Sequence, residues 1–181
     1  MKNRFPAGLV TGVVLSGLLI GGGTYLFFTG GYAPVATAAP PLPFEHLLAR
    51  RALQARLAKE MPRTVPIAPT EANLLAGATV YLSHCAGCHS LPGRPAAAFA
   101  QQMFPPAPHL FQGVGVTDDE PGETYWKAAN GIRLTGMPGF HGILTDDQLW
   151  QVSLLLAKAH ELPPAVQSAL ATGTEPVRRR E

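Results

Sequence analysis

A chain of 181 residues, 46% apolar and with a formal net charge of +2, is long enough for one domain with extensions or for two very small ones, and it can bury a core. Its 19 glycines and 18 prolines assign long stretches to loop or extended chain. The charge is uneven: residues 1–66 hold seven bases against two acids, whereas residues 70–160 hold seven acids against four bases. A mildly acidic body argues against nucleic-acid binding, which needs a basic face against phosphate.

In chain order, Lys2 and Arg4 come first, and an uncharged apolar run follows from about Ala7 to Phe28. About 20 such residues cross a bilayer as a helix, and the two bases hold the N-terminus on the cytoplasmic side. Residues 1–30 therefore read as a transmembrane signal-anchor, single-pass in a bacterial inner membrane, with the remaining chain in the periplasm. The competing reading is a cleaved secretory signal, since Ala36-Thr37-Ala38 has the form of a cleavage site. Against it, the apolar run exceeds the ~7–15 residues of an ordinary signal. Both readings export the rest of the chain.

Residues 31–69 read as a linker. "YAPVATAAPPLP" is an extended spacer, and Phe44 to Met61 is expected to form a helix. Leu53, Leu57 and Met61 recur every four residues, extended by Phe44, Leu47 and Leu48, while Arg50, Arg51, Arg56 and Lys59 make the other face basic. A solvated spacer helix, a helix lying on anionic lipid and a helix packed on a partner subunit all fit that pattern.

Residues 70–162 read as the main domain, with residues 163–181 as a C-terminal tail. Thr70 is a candidate N-cap for a helix through "EANLLAGATVYLSH", whose apolar face holds Leu74, Leu75, Ala78 and Leu82. "PGETYWKAANG" is a shorter helix with Pro121 near its start and Gly131 as its stop. Thr145 and Gln148 form a capping box for a last helix with Leu149, Val152, Leu155 and Leu156 inward. No strand pattern stands out, so the fold class is all-α. A domain this small with long loops has a thin core, which a large, rigid apolar ligand at its centre would complete.

Both cysteines stand in "HCAGCHS", residues 84–90. A disulfide between them would close a tiny loop and hold little. A thioredoxin-type pair requires a βαβ setting, and zinc requires further ligands at matching spacing. C-x-x-C-H is also the signature of covalent haem attachment, with the histidine after the second cysteine, His89, as the proximal ligand. A second axial ligand is then sought. Met137 stands in "LTGMPGF", where glycines permit close approach to a planar ligand and Pro138 stiffens the loop. His109, His141 and Met103 are the other candidates. Of these, Met103 follows His89 too soon to reach the opposite face easily. Arg133 reads as a solvated arginine, with a propionate contact as the other option.

From about Asn73 to Leu162 the chain resembles a class I monohaem cytochrome c, in its membrane-anchored form. "CAGCH", "PHL" and "GMPGF" occur in that family's order, with 48 residues from His89 to Met137. The resemblance implies a cytochrome c fold of three to four helices and long loops around one haem c. It implies thioether links at Cys85 and Cys88, with His89 and Met137 on the iron. It makes the Pro108 carbonyl the acceptor for the proximal imidazole, and Leu110 and Ile132 are expected against the cofactor. Tyr125 and Trp126 read either as aromatics at the haem edge or on a propionate, or as plain core aromatics. It also implies that the first and last helices cross at Gly77 and Tyr81 against Trp150. The expected function is electron transfer without catalysis, either as a free carrier or as a non-catalytic subunit of a membrane oxidase, reductase or dehydrogenase. A ligand-binding haem sensor is the third reading. The expected partners are redox proteins and the lipid bilayer, with no nucleic acid.

Overall fold

The structure, a computed structural model, describes residues 4–112 and 119–173. Lys2 of the expected anchor and residues 174–181 of the expected tail lie outside them. Contacts divide the chain into two compact units, residues 1–45 and residues 46–181. Among the described residues the secondary structure is all-helical, apart from one isolated bridge between His141 and Leu144.

The first unit holds α1, Arg4–Thr29. Its segment Gly8–Thr29, 22 residues, is apolar and unburied within the protein. At ~1.5 Å per residue it is about 33 Å long, which suits the ~30 Å hydrocarbon core of a bilayer. Leu15, Leu18, Leu19 and Ile20 are all exposed.

The second unit begins within α2, Glu45–Glu60. The chain then runs through Pro62 to Pro69 into α3, Glu71–His84, which is capped by Thr70 accepting from the Asn73 amide at 3.3 Å. Two single turns follow, α4 (Ala86–His89) and α5 (Ala98–Gln101), and then α6, Pro121–Asn130. The long helix α7, Asp146–Ala157, opens with the expected capping box: Gln148 N donates to Thr145 Oγ1 at 3.3 Å, and Thr145 N donates to Gln148 Oε1 at 2.9 Å. Last is α8, Pro164–Thr172.

The core is the crossing of α3 and α7, with α6 packed on α7 and α8 packed on α3. Leu74, Ala78 and Tyr81 of α3 meet Leu149, Val152 and Leu155 of α7 in one buried cluster. At Gly77 the two backbones touch: an added Cβ would run into the Gln151 carbonyl oxygen. Only glycine allows that approach, and it brings the C-terminal end of α3, with its cysteines, beside α7.

Two boundaries differ from the sequence reading. The expected tail beginning at residue 163 is instead a helix for nine residues, α8, whose Val166 and Leu170 are fully buried in the core. The expected linker helix belongs with the domain: Leu57 is 1% exposed, whereas Phe44, Leu47 and Leu48, which the pattern adds to its apolar stripe, are exposed.

Candidate functional site

The site starts where α3 runs out. The Cys85 carbonyl accepts from the Cys88 amide at 3.1 Å and the His89 amide at 2.9 Å, so "CAGCH" is a single helical turn. Cys85, Cys88 and His89 all line one cavity. Ser90 ends the turn with φ +66°. Its carbonyl accepts from the hydroxyl of the fully buried Tyr81 at 2.6 Å, tying the exit of the turn back to α3. Burial, helped by the neighbouring Cys88, pushes the Cys85 thiol up to about 12. Both cysteines are free thiols. A half-buried pair outside any βαβ unit, with the Cys85 thiol held protonated, is a poor redox pair. Zinc also lacks ligands, since no cluster of three or more His, Cys, Asp or Glu side chains forms among the described residues.

His89 is oriented from outside its own helix. Its Nδ1 lies 2.8 Å from the Pro108 carbonyl oxygen. A carbonyl only accepts, so Nδ1 carries the proton and Nε2 keeps its lone pair. The Leu110 amide donates to the His89 carbonyl at 3.4 Å, a second tie between the turn and "PHL". Burial lowers the pKa of His89, against the opposing Pro108 bond, and so favours the neutral imidazole that a metal requires.

Across the cavity, residues 131–140 form a loop pinned to the end of α6. The Phe140 and His141 amides donate to the Ala128 and Ala129 carbonyls at 2.9 and 3.0 Å. Within the loop the Ile132 amide donates to the Met137 carbonyl at 3.3 Å, and the Met137 amide donates to Thr135 Oγ1 at 3.1 Å. Gly131 has φ +68°, and a Cβ there would strike Gly139 and the Pro138 carbonyl carbon. Met137, Pro138, Ile132, Thr135 and Gly136 line the cavity, as do Pro108 and Leu110.

Tyr125 and Trp126, expected at the cofactor, do not line it. Thr124, Lys127 and Ala128 are the cavity residues of α6, and their i, i+3, i+4 spacing turns positions 125 and 126 to other faces. Tyr125 instead stacks on Trp150, with ring centroids 4.3 Å apart, and donates to Asp146 at 2.9 Å. Trp126 donates to Glu60 of α2 at 3.3 Å. Arg133 is exposed, and the cavity rim instead carries Lys127, paired with Asp119 at 2.6 Å and Glu123 at 2.7 Å. Among the other ligand candidates, His109 has both ring nitrogens engaged, by Arg94 O at 3.0 Å and the Phe111 amide at 3.2 Å. His141 is exposed and does not line the cavity. Met103 does line it, contrary to the expectation from its spacing: its Sδ would lie 2.8 Å from a Cβ at Gly136. Leu53 of α2 also lines the cavity. No local motif marks either Met103 or Leu53.

The donor set on this cavity is two thiols, an imidazole with Nε2 available and a thioether, with apolar walls between. These residues fit a covalently held haem. One comparison with known proteins points the same way. Residues 72–154 match the family model described as cytochrome C oxidase, cbb3-type, subunit III. A chain of the reducing HAO-like protein complex of Kuenenia stuttgartiensis is similar over 52% of this chain at 26% identity, with a TM-score of 0.45; this chain spans 46% of its length. No curated protein matches. Residues 72–154, just under half of the chain, are thus similar to that cytochrome oxidase subunit family.

Proposed function

We propose that this is an electron-transfer cytochrome c tethered to the bacterial inner membrane by residues 1–30, with its domain in the periplasm. One haem c would be joined through Cys85 and Cys88, with His89 and Met137 as axial ligands. The observation that carries the reading is that these four side chains line one cavity while the Pro108 carbonyl fixes the His89 ring. A haem bound there supplies one-electron exchange between ferric and ferrous iron. The residues of the chain do the rest. Pro108 holds the imidazole proton on Nδ1, which leaves Nε2 unprotonated and able to bind a metal. Met137 offers a soft, weak donor that favours the ferrous state and raises the potential. Leu110, Ile132 and Phe140 exclude water. If His89 and Met137 both held the iron, no open position would be left for a substrate, and the chain would be a carrier that meets redox-protein partners. Apolar α1 supports the tether, which would raise the effective concentration of the domain near partners in the same membrane.

A second reading, a non-catalytic subunit of a larger membrane oxidase, reductase or dehydrogenase, is favoured by the description of the matching family. Two measurements test these readings. Ferric and ferrous visible spectra of the membrane-extracted chain, with and without carbon monoxide, should show a c-type α-band that carbon monoxide does not change. Ready carbon monoxide binding would replace the carrier with a ligand sensor. Size analysis after mild solubilisation then separates a lone chain from a complex.

A further inference from the structure

We infer that α2 is itself a wall of the cofactor site, a strap that shields one edge of the cavity through Leu53 and thereby sets the potential of the iron; the inference rests on the haem reading above.

Four residues of α2 that reach other parts of the domain fall on one stripe. The His46 ring lies 5.5 Å from that of Phe104. Leu53 lines the cavity, Leu57 is 1% exposed, and Glu60 accepts from Trp126 Nε1 at 3.3 Å. At 100° per residue these positions lie within about 60° of one another around the helix. The ends of the strap are held by different elements. His46 meets the loop beside Met103, Pro105 and Pro106, all cavity residues. Glu60 meets α6, and Arg56 steadies it at 2.8 Å. Beyond the helix, the Pro62 carbonyl lies so close to Gly122 that any Cβ there would collide with it, which accounts for a glycine in the first turn of α6. These contacts share one phase, which a helix serving only as a solvated spacer does not require.

The chemical consequence follows from charge. With neutral axial ligands, the ferric centre carries one more positive charge than the ferrous centre. An apolar wall disfavours the more charged state, and a wetter one favours it. Leu53 thus raises the potential without touching the metal. Because α2 is the first helix after the segment proposed as anchor, beyond the spacer of residues 31–44, the chain would use the same helix to hold the domain and to tune it.

The test uses the full-length, haem-loaded chain in detergent or nanodiscs. Potentiometric titration of the visible band should show a downward shift in midpoint for Leu53→Ser. Leu53→Met should restore the wild-type value, and Leu47→Ser, on an exposed part of the same helix, should not move it. An unshifted Leu53→Ser midpoint with a normal spectrum overturns the proposal, as does an equal shift from Leu47→Ser. Hydrogen–deuterium exchange on the wild type remains decisive even if Leu53→Ser does not accumulate. Amides 53–60 should exchange at least about tenfold more slowly than those of residues 49–52, which are exposed on the same helix and equally bonded within it, and equal rates overturn the strap. Loss of the c-type band in the wild type would refute the haem reading separately, since the exchange pattern does not depend on it.

Discussion

The two walls of the cavity are built in opposite ways. The wall that carries His89 is continuous in sequence: one helical turn presents both thiols and the imidazole, and two bonds from "PHL" fix it from outside. The wall that carries Met137 is a loop without regular structure, whose shape comes from the α6 carbonyls, the Thr135 hydroxyl and glycines pressed against backbone. The first wall is rigid because helical hydrogen bonds are local. The second is rigid only because the packing around it leaves no room. Damage to the two should therefore look different.

The largest difference is expected from Cys85→Ser combined with Cys88→Ser. The chain should lose covalent haem and, with it, the cooperative thermal transition, since the cofactor completes a small core; a stable, haem-free double mutant showing that transition would contradict this. Gly139→Ala strikes the other wall, because its Cβ would sit 2.8 to 2.9 Å from Asn130 and Ala129 backbone atoms that cannot yield. It should cost about 1–3 kcal/mol in denaturant unfolding and weaken the methionine–iron signature while haem stays attached. Tyr81→Phe removes the bond to the Ser90 carbonyl. It should cost about 1–2 kcal/mol and leave that signature unchanged, because it loosens only the histidine wall.

The smallest effect is one of pH. Burial acts to lower the pKa of Lys127, but its bonds to Asp119 and Glu123 outweigh burial and raise it above the ordinary 10.5. A raised folded-state pKa stabilises fully below the unfolded value, and the contribution is lost as pH climbs through the folded one. The melting temperature of the wild type should therefore fall towards that of Lys127→Met only above about pH 10.5; a gap that closes at neutral pH would show that the pair does not contribute.

What was legible in the sequence follows the same division. The "CAGCH" turn, the Thr70 cap and the Thr145–Gln148 box are local, and each forms where the spacing indicates. The glycine crossing at Gly77 also stands where the resemblance implies it. The misses depend on which way a side chain points within a helix, or on distant packing. Trp126 reads as a cofactor-edge aromatic until the phase of α6 turns it towards Glu60. Met103 looks too near His89 in sequence, yet the loop after α5 returns it to the cavity beside Gly136. In α2 the apolar pattern runs through Leu53, Leu57 and Met61 with Phe44, Leu47 and Leu48 added; Leu53 and Leu57 do pack, but Phe44, Leu47 and Leu48 are exposed, and the polar His46 and Glu60 complete the packed face. Apolar periodicity alone does not mark those two polar contacts. The collision of Gly122 with Pro62 leaves the one sequence trace of that packing, a glycine with no other reason to stand inside a helix.

The central claim is an iron held between His89 and Met137, and the second thioether on the cavity, Met103, makes Met137 the residue to test. The most direct measurement is the proton NMR spectrum of the ferrous protein, in which a methionine methyl bound to iron is carried far upfield by the ring current. One such methyl is expected. It should be absent from Met137→Ala, which should keep its haem and shift to a lower potential, and it should persist in Met103→Leu. A signal that survives in Met137→Ala and vanishes in Met103→Leu would contradict the assignment.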